Sequence, residues 1–352
     1  MSASVIIGLV IVMLAILEFL SLRVVCKYIS LRFELNMTLT EPDEVATLTY
    51  VIQNRSFFPI PFVSLCFTLP EAVEIREDEA WIEARRARSA TSHALSFNVF
   101  LGPRRAYRGR LHFSLKKRGL HNLGRVYVEI GDFLGFRSTV RNFEIPHRII
   151  CTARALEDPP LLEPLGGFLG DISVRRFIME DPSLILGYRD YSGTEALKSV
   201  SWLQTARTGR LMVKKHDVTV DADVAVLLDI AHCDDAAAER CLSLVRTVSD
   251  ALEARQIPYS VMSNGDLFET KKGVGRKHSF EVQKRIGLSR FVHYRSFQEL
   301  LSQWSRPSFE MRGCIVIAPR STPELSAALA QLEVSSGMRV CLLKGEEVES
   351  HA

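Results

Sequence analysis

The sequence predicts a membrane-tethered α/β protein in three parts: an N-terminal transmembrane helix, a β-sandwich and a doubly wound parallel sheet. Three observations carry this prediction. A nearly continuous apolar run opens the chain, period-2 alternation occupies residues 31–155, and from 156 to 352 apolar strands alternate with helical stretches. A length of 352 residues accommodates an anchor and two domains, because single cores stop growing at roughly 100–200 residues. At 47% hydrophobic and 24% charged residues the composition is that of an ordinary globular protein. The formal net charge of +3 gives no general attraction to nucleic acid, so none is expected as a partner.

Residues 1–28 are read as the anchor. From Ala3 to Leu22 only Ser4, Glu18 and Ser21 interrupt the apolar run, and its length matches the ~20 residues needed to cross hydrocarbon. A cleaved signal peptide is the rival, but no Lys or Arg precedes the run and no small-x-small site follows it. Glu18 lies near one end, where a carboxylate reaches the interface. Arg23, Lys27 and Arg32 follow the helix, so the positive-inside rule puts the soluble body in the cytoplasm of a single-pass cell-membrane protein. Seven scattered cysteines without a CxxC pair agree with a reducing compartment and argue against a zinc site.

In residues 31–155 the alternation is that of half-buried strands. Leu31, Phe33, Leu35, Met37 and Leu39 form one such run, with others at Val63–Leu69, Leu95–Leu101 and Leu111–Leu115. Short strands between turn signals, with no long helical pattern, predict an immunoglobulin-like sandwich. Arg85, Arg86, Arg88, Arg104, Arg105, Arg108, Arg110, Lys116, Lys117 and Arg118 make this region basic. They read first as solvated strand faces, then as contacts to anionic lipid of the inner leaflet, and only remotely as an RNA surface, because the aromatics fall on core positions.

In residues 156–352 the period changes. Val224-Ala225-Val226-Leu227-Leu228 suits a strand buried on both faces, and a helical stretch from Asp235 to Arg255 follows. Tyr259–Met262, Cys314–Ile317 and Val340–Leu343 supply further strands, Asn264-Gly265 marks a turn, and Ser296/Glu299 and Ser321/Glu324 fit capping boxes. Strands alternating with helices imply a parallel sheet with its ligand site at the carboxyl strand ends, which singles out Asp229.

Asp229-Ile230-Ala231-His232-Cys233 stands where a von Willebrand factor A domain carries an Asp-x-Ser-x-Ser loop, whose carboxylate and hydroxyls are hard ligands for magnesium or manganese. Here Ala231 and Cys233 replace the hydroxyls, and Ala318-Pro319-Arg320 supplies no further acid. Asp229 therefore reads as a structural strand-end acid, with a degenerate metal site involving Asp234 or Asp235 as the alternative. His232 beside Cys233 lacks a third orienting group for a nucleophile and base. No Gly-rich phosphate loop of the GxxxxGK[ST] type occurs, so no nucleotide hydrolysis and no enzyme activity is expected.

Tyr188-Arg189-Asp190-Tyr191-Ser192-Gly193-Thr194-Glu195, then Val200-Ser201-Trp202 and Thr205-Ala206-Arg207-Thr208-Gly209-Arg210-Leu211-Met212-Val213-Lys214, a block spanning 188–214, resembles the signature of the domain of unknown function 58 family. Glu195 holds the acidic role of the family's Gly-Asp pair at a displaced position, and Gly131-Asp132-Phe133-Leu134-Gly135-Phe136 is similar to a further family segment. The resemblance implies a von Willebrand factor A-like fold, a membrane tether and a MoxR-type AAA ATPase as partner. From the residues themselves, Arg189, Asp190, Tyr191, Glu195, Trp202 and Arg207 form either an ion-pair network against a sheet edge or a docking surface. The expectation is a non-enzymatic adaptor without cofactor, magnesium or manganese at Asp229 being the alternative.

Overall fold

In the computed structural model, residues 3–76, 85–89, 92–132, 137–156, 159–176, 181–193, 197–217, 223–231, 233–267, 269–292, 294–304 and 311–346 are described. The chain divides into two compact units, Met1–Ala153 and Arg154–Ala352.

The first unit opens with α1 (Ala3–Tyr28), which passes directly into β1 (Ile29–Leu35). Next come β2 (Leu39–Thr40), β3 (Ala46–Asn54), β4 (Ile60–Pro70), β5 (Val73–Ile75), β6 (Arg85–Ser89) and β7 (Ser92–Leu101). The unit closes with β8 (Ala106–Leu115), β9 (Gly119–Asn122), β10 (Arg125–Gly131), β11 (Ser138–Glu144) and β12 (Arg148–Cys151). Two antiparallel sheets, ordered β1-β3-β8-β5 and β11-β10-β4-β7-β6, enclose one core, and β2-β12-β9 adds a small mixed sheet. Alternation drives this arrangement. Along β3 every second residue is buried, so Leu48, Tyr50 and Ile52 face Leu65 and Phe67 of β4 and Val126 and Val128 of β10. Each such side chain contributes about 1.5–3 kcal/mol on burial.

Among the described residues no helix is long and apolar enough to cross a membrane. The apolar run at 3–22 does lie in one helix, α1, in which several side chains fall outside the described set. Val25, in the last turns of α1, is 3% exposed and joins the sandwich core, and Arg141 of β11 donates to the Cys26 carbonyl.

In the second unit α2 (Pro159–Arg176) precedes β13 (Asp181–Asp190), a 3-10 turn at Leu197–Ser199, α3 (Trp202–Thr208) and β14 (Met212–Asp217). Then follow β15 (Asp223–Leu228), α4 (Asp235–Ala254), β16 (Tyr259–Ser263), α5 (Arg276–Leu288), α6 (Phe297–Trp304), β17 (Met311–Ala318), α7 (Pro323–Ser336) and β18 (Arg339–Lys344). The last four strands form a wholly parallel sheet in the order β16-β15-β17-β18. Every residue of β15 is buried, as its unbroken apolar run requires. Ala225, Leu227, Cys314 and Val316 meet α6 and α7 on one face, while α4 covers the other.

Three sequence expectations need correction. The helix cap before α7 is Thr322, whose Oγ1 accepts from Leu325 N at 3.1 Å, and not Ser321, because Pro323 takes the first helical position. The helices α2 and α5 are absent from the sequence expectation, because Pro164 inside α2 and a largely polar α5 sequence hide their periods. The antiparallel pair β13 and β14, joined through α3, stands apart from the parallel sheet. The capping box at Ser296 and Glu299 is present in both directions, each side chain accepting from the other's backbone N–H at 3.2 Å.

Candidate functional site

The order β16-β15-β17-β18 reverses winding direction between β15 and β17, and at the carboxyl ends of those two strands lies a cleft of about 810 Å³. This is the place where open α/β sheets bind ligands. Asp229, Ala231 and Cys233 line it from the loop after β15, Pro319 and Arg320 from the loop after β17, and Glu346 from the end of β18.

Asp229 is held rather than free to reorganise. Its Oδ1 accepts from Ala231 N at 2.9 Å and from Asn264 Nδ2 at 2.6 Å, and its own N–H donates to Ile317 O at 2.8 Å. Asn264, fully buried, accepts from Ile230 N at 3.0 Å. The register Leu228↔Ser263 puts Asn264 beside Asp229 by the parallel pairing itself. From sequence Asn264 reads only as a turn residue; its place one step beyond a strand adjacent to β15 is the signal that reading misses.

The helices α4, α6 and α7 all begin around this cleft. Asp234 caps α4 by accepting from Ala237 N at 2.8 Å, and Asp235, Glu299 and Glu324 occupy first turns. The positive helix ends are thus answered by the protein's own acids. Cys233 Sγ donates to Ile230 O at 3.0 Å. Burial pushes its thiol up, and the Asp229, Asp234 and Asp235 carboxylates add to this, so it is kept a thiol rather than a thiolate nucleophile. Burial likewise pushes Cys241 up to about 12. His232 lies outside the described residues. Among the described residues no group of three metal-ligating side chains occurs, and Arg320 pairs with Glu346 across the mouth.

The 188–214 block lies elsewhere in the unit. Tyr188 pairs with Lys214, Arg189 with Val213 and Asp190 with Met212. Tyr191 N donates to Leu211 O at 2.8 Å, Ser201 N to Met212 O at 2.8 Å, and Met212 N to Thr205 Oγ1 at 3.0 Å. Val200 and Val213 are buried beneath this ladder. Backbone hydrogen bonds and two valines therefore hold the block. Arg189, Asp190 and Arg207 are exposed and Tyr191 is half-buried. Trp202 is 65% and Leu203 66% exposed, side by side, with Tyr188 and Leu211 partly exposed nearby in the chain. Glu195 lies outside the described residues.

No protein-family profile and no curated protein matches the chain. Among solved structures, the major pilin subunit of Bacillus cereus matches at 9% identity and TM-score 0.27, over 36% of this chain and 41% of the pilin. The CARDB domain of the PF1109 protein from Pyrococcus furiosus matches at 12% identity and TM-score 0.21, over 35% of this chain and 94% of that one. A PapD-like domain of human CEP192 matches at 13% and 0.22, over 35% and 83%. Such scores fall short of a shared fold, and the β-sandwich rests on its own strand pairing.

Proposed function

We propose that this chain is a non-enzymatic, membrane-anchored interaction protein whose 188–214 block docks a cytosolic MoxR-type AAA ATPase during protein maturation or complex assembly at the membrane. The observation that carries this reading is the exposure of Trp202 and Leu203 together at the start of α3. Two large apolar side chains left in water forgo about 1.5–3 kcal/mol of burial each, a cost that a partner surface recovers, and Arg207 of the same helix and Tyr188 of β13, both exposed, are residue types enriched at interface hot spots. The likeness of the block to the domain of unknown function 58 signature supplies the partner class. A von Willebrand factor A-like fold for residues 156–352 belongs to the same reading, supported by the parallel order β16-β15-β17-β18.

The anchor is α1, with both units in the cytoplasm. The apolar run 3–22 lies within it, and its ~20 residues at about 1.5 Å each match the ~30 Å of bilayer hydrocarbon. Ile7, Leu9, Val12, Met13, Ile16 and Phe19 are each more than half exposed along it, and Arg23, Lys27 and Arg32 follow the apolar run. A reporter active only outside the cytoplasm, fused after Ala352, stays silent in this topology.

The test is affinity capture of the tagged full-length chain from native membranes in mild detergent with nucleotide present. An AAA ATPase co-elutes and is lost on Trp202→Ala or Arg189→Ala in protein that still melts cooperatively; capture of none under any nucleotide condition removes the adaptor reading. The second reading, a magnesium- or manganese-dependent ligand module, is favoured by one observation, the location of Asp229 in the switch-point cleft.

A further inference from the structure

One end of the sandwich unit is built from the last residues of α1 and two loops that a single buried side chain ties together. Asn54, fully buried, donates through Nδ2 to Phe58 O at 2.8 Å and to Gly102 O at 3.0 Å. Its Oδ1 accepts from Ser56 N at 3.0 Å and Ser56 Oγ at 2.7 Å. Arg104 N donates to Ser56 O at 3.1 Å, and Arg55 N donates to Tyr28 O at 3.1 Å, so the 54–58 loop sits against the end of α1 itself. No linker separates α1 from β1, and Val25 and Ile29 are both buried in the sandwich core. This end of the unit is fixed relative to the helix axis.

What this end exposes is aromatic and cationic. Phe57 is 73% exposed, Phe100 67% and Tyr28 46%. The Arg104 guanidinium stacks 4.1 Å from the Phe57 ring centre, and Arg55 and Arg105 stand exposed beside it. Residues 19–33, 51–70 and 93–118 contain no Asp or Glu at all. A folded domain has no internal use for Phe57 and Phe100 in water, and the cations around them meet no acid of their own segments. Rings with an apolar body, flanked by arginines whose stems are apolar and whose heads are charged, suit the headgroup layer of a bilayer. Anionic lipid there attracts basic residues close to the surface.

We infer that the Phe57–Phe100–Arg104 end of the sandwich is a membrane seat, which rests on the headgroups of anionic lipid around the point where α1 leaves the bilayer. This rests on the anchor reading above and deepens it: the helix tethers the chain, and the seat sets the unit's height and orientation on the bilayer. The surface differs from the docking block, which lies in the other unit.

The experiment uses the full chain carrying Phe57→Trp, reconstituted in vesicles of phosphatidylcholine with or without phosphatidylglycerol. The unsubstituted chain gives the background of the native tryptophans, and the difference between the two is the signal of the introduced indole. Bromine atoms placed near the headgroup quench that indole in anionic vesicles more than bromine deep in the chains, and Arg55→Glu with Arg104→Glu abolishes the difference while the protein stays resistant to alkaline extraction. A chain that resists extraction but whose introduced indole is not quenched overturns the seat and leaves the anchor standing. A chain extracted by alkali overturns the anchor, and the seat with it. Equal quenching without phosphatidylglycerol, or shielding of the indole by added RNA in place of lipid, overturns the anionic-lipid assignment.

Discussion

Asn264 Nδ2 donates to Asp229 Oδ1 at 2.6 Å, so the carboxylate at the head of the cleft is oriented by the residue that leaves the adjacent strand. Asn264→Ala strips one of two donors from that half-buried oxygen, which keeps Ala231 N, and removes the acceptor of Ile230 N, a buried residue. The expected loss is on the order of 1–3 kcal/mol, since one buried donor is left without its acceptor. Chemical denaturation in detergent measures it, and a loss below about 0.5 kcal/mol, the range of a surface change, refutes the role.

Gly124 has φ +82°, and a Cβ there would stand 2.1 Å from Thr68 O, a backbone atom that cannot swing aside. Gly124→Ala therefore destabilises the sandwich by about 2 kcal/mol or more. Gly166→Ala in α2 meets nothing within 4 Å and raises stability by about 0.5–1 kcal/mol. Opposite signs in the same melting assay are the expected result.

His278 packs edge-on against buried Tyr259, with ring centres 4.6 Å apart, and burial lowers its pKa from the ordinary 6.5 although the Glu253 carboxylate opposes the shift. With the folded pKa below the unfolded one, the unfolded chain binds the extra proton first. The stability this group contributes is present above about pH 6.5 and is lost as pH falls from there through the folded value. His278→Gln removes that part of the acid sensitivity, so melting temperatures measured above and below this window differ less in the variant than in the parent.

The degenerate loop after β15 makes a prediction about metal. Magnesium or manganese leaves the melting temperature of the parent chain unchanged, because Ala231 and Cys233 supply no hard oxygen. Ala231→Ser with Cys233→Ser adds two hydroxyls beside Asp229 and is expected to create a metal-dependent rise. A rise already present in the parent moves the function to the metal-dependent module.

The strands at 63–69, 95–101 and 111–115 were legible because alternation is a local pattern, and β15 because a strand buried on both faces must be apolar throughout. The flanks of β4 and the short β5, β9 and β12 were not, since pairing with distant segments, and not their own composition, makes them strands, and the run from Leu31 to Leu39, which alternates throughout, breaks at residues 36–38 into β1 and β2. Asp229 was legible from its strand end. Its partner Asn264 was not, because that contact exists only through the registry of two parallel strands 35 positions apart.

The amino-acid order by itself determined the division into an apolar helix, an alternating β region and an α/β region, and the loss of hydroxyls from the Asp229 loop; each is a property of residue type at local spacing. Only the tertiary structure decided which residues meet water. Trp202, Leu203, Phe57 and Phe100 have the composition of core residues, and their exposure follows from where Val200, Val213 and Asn54 pin the backbone. Burial is a sum over segments far apart in sequence, and no single segment carries it.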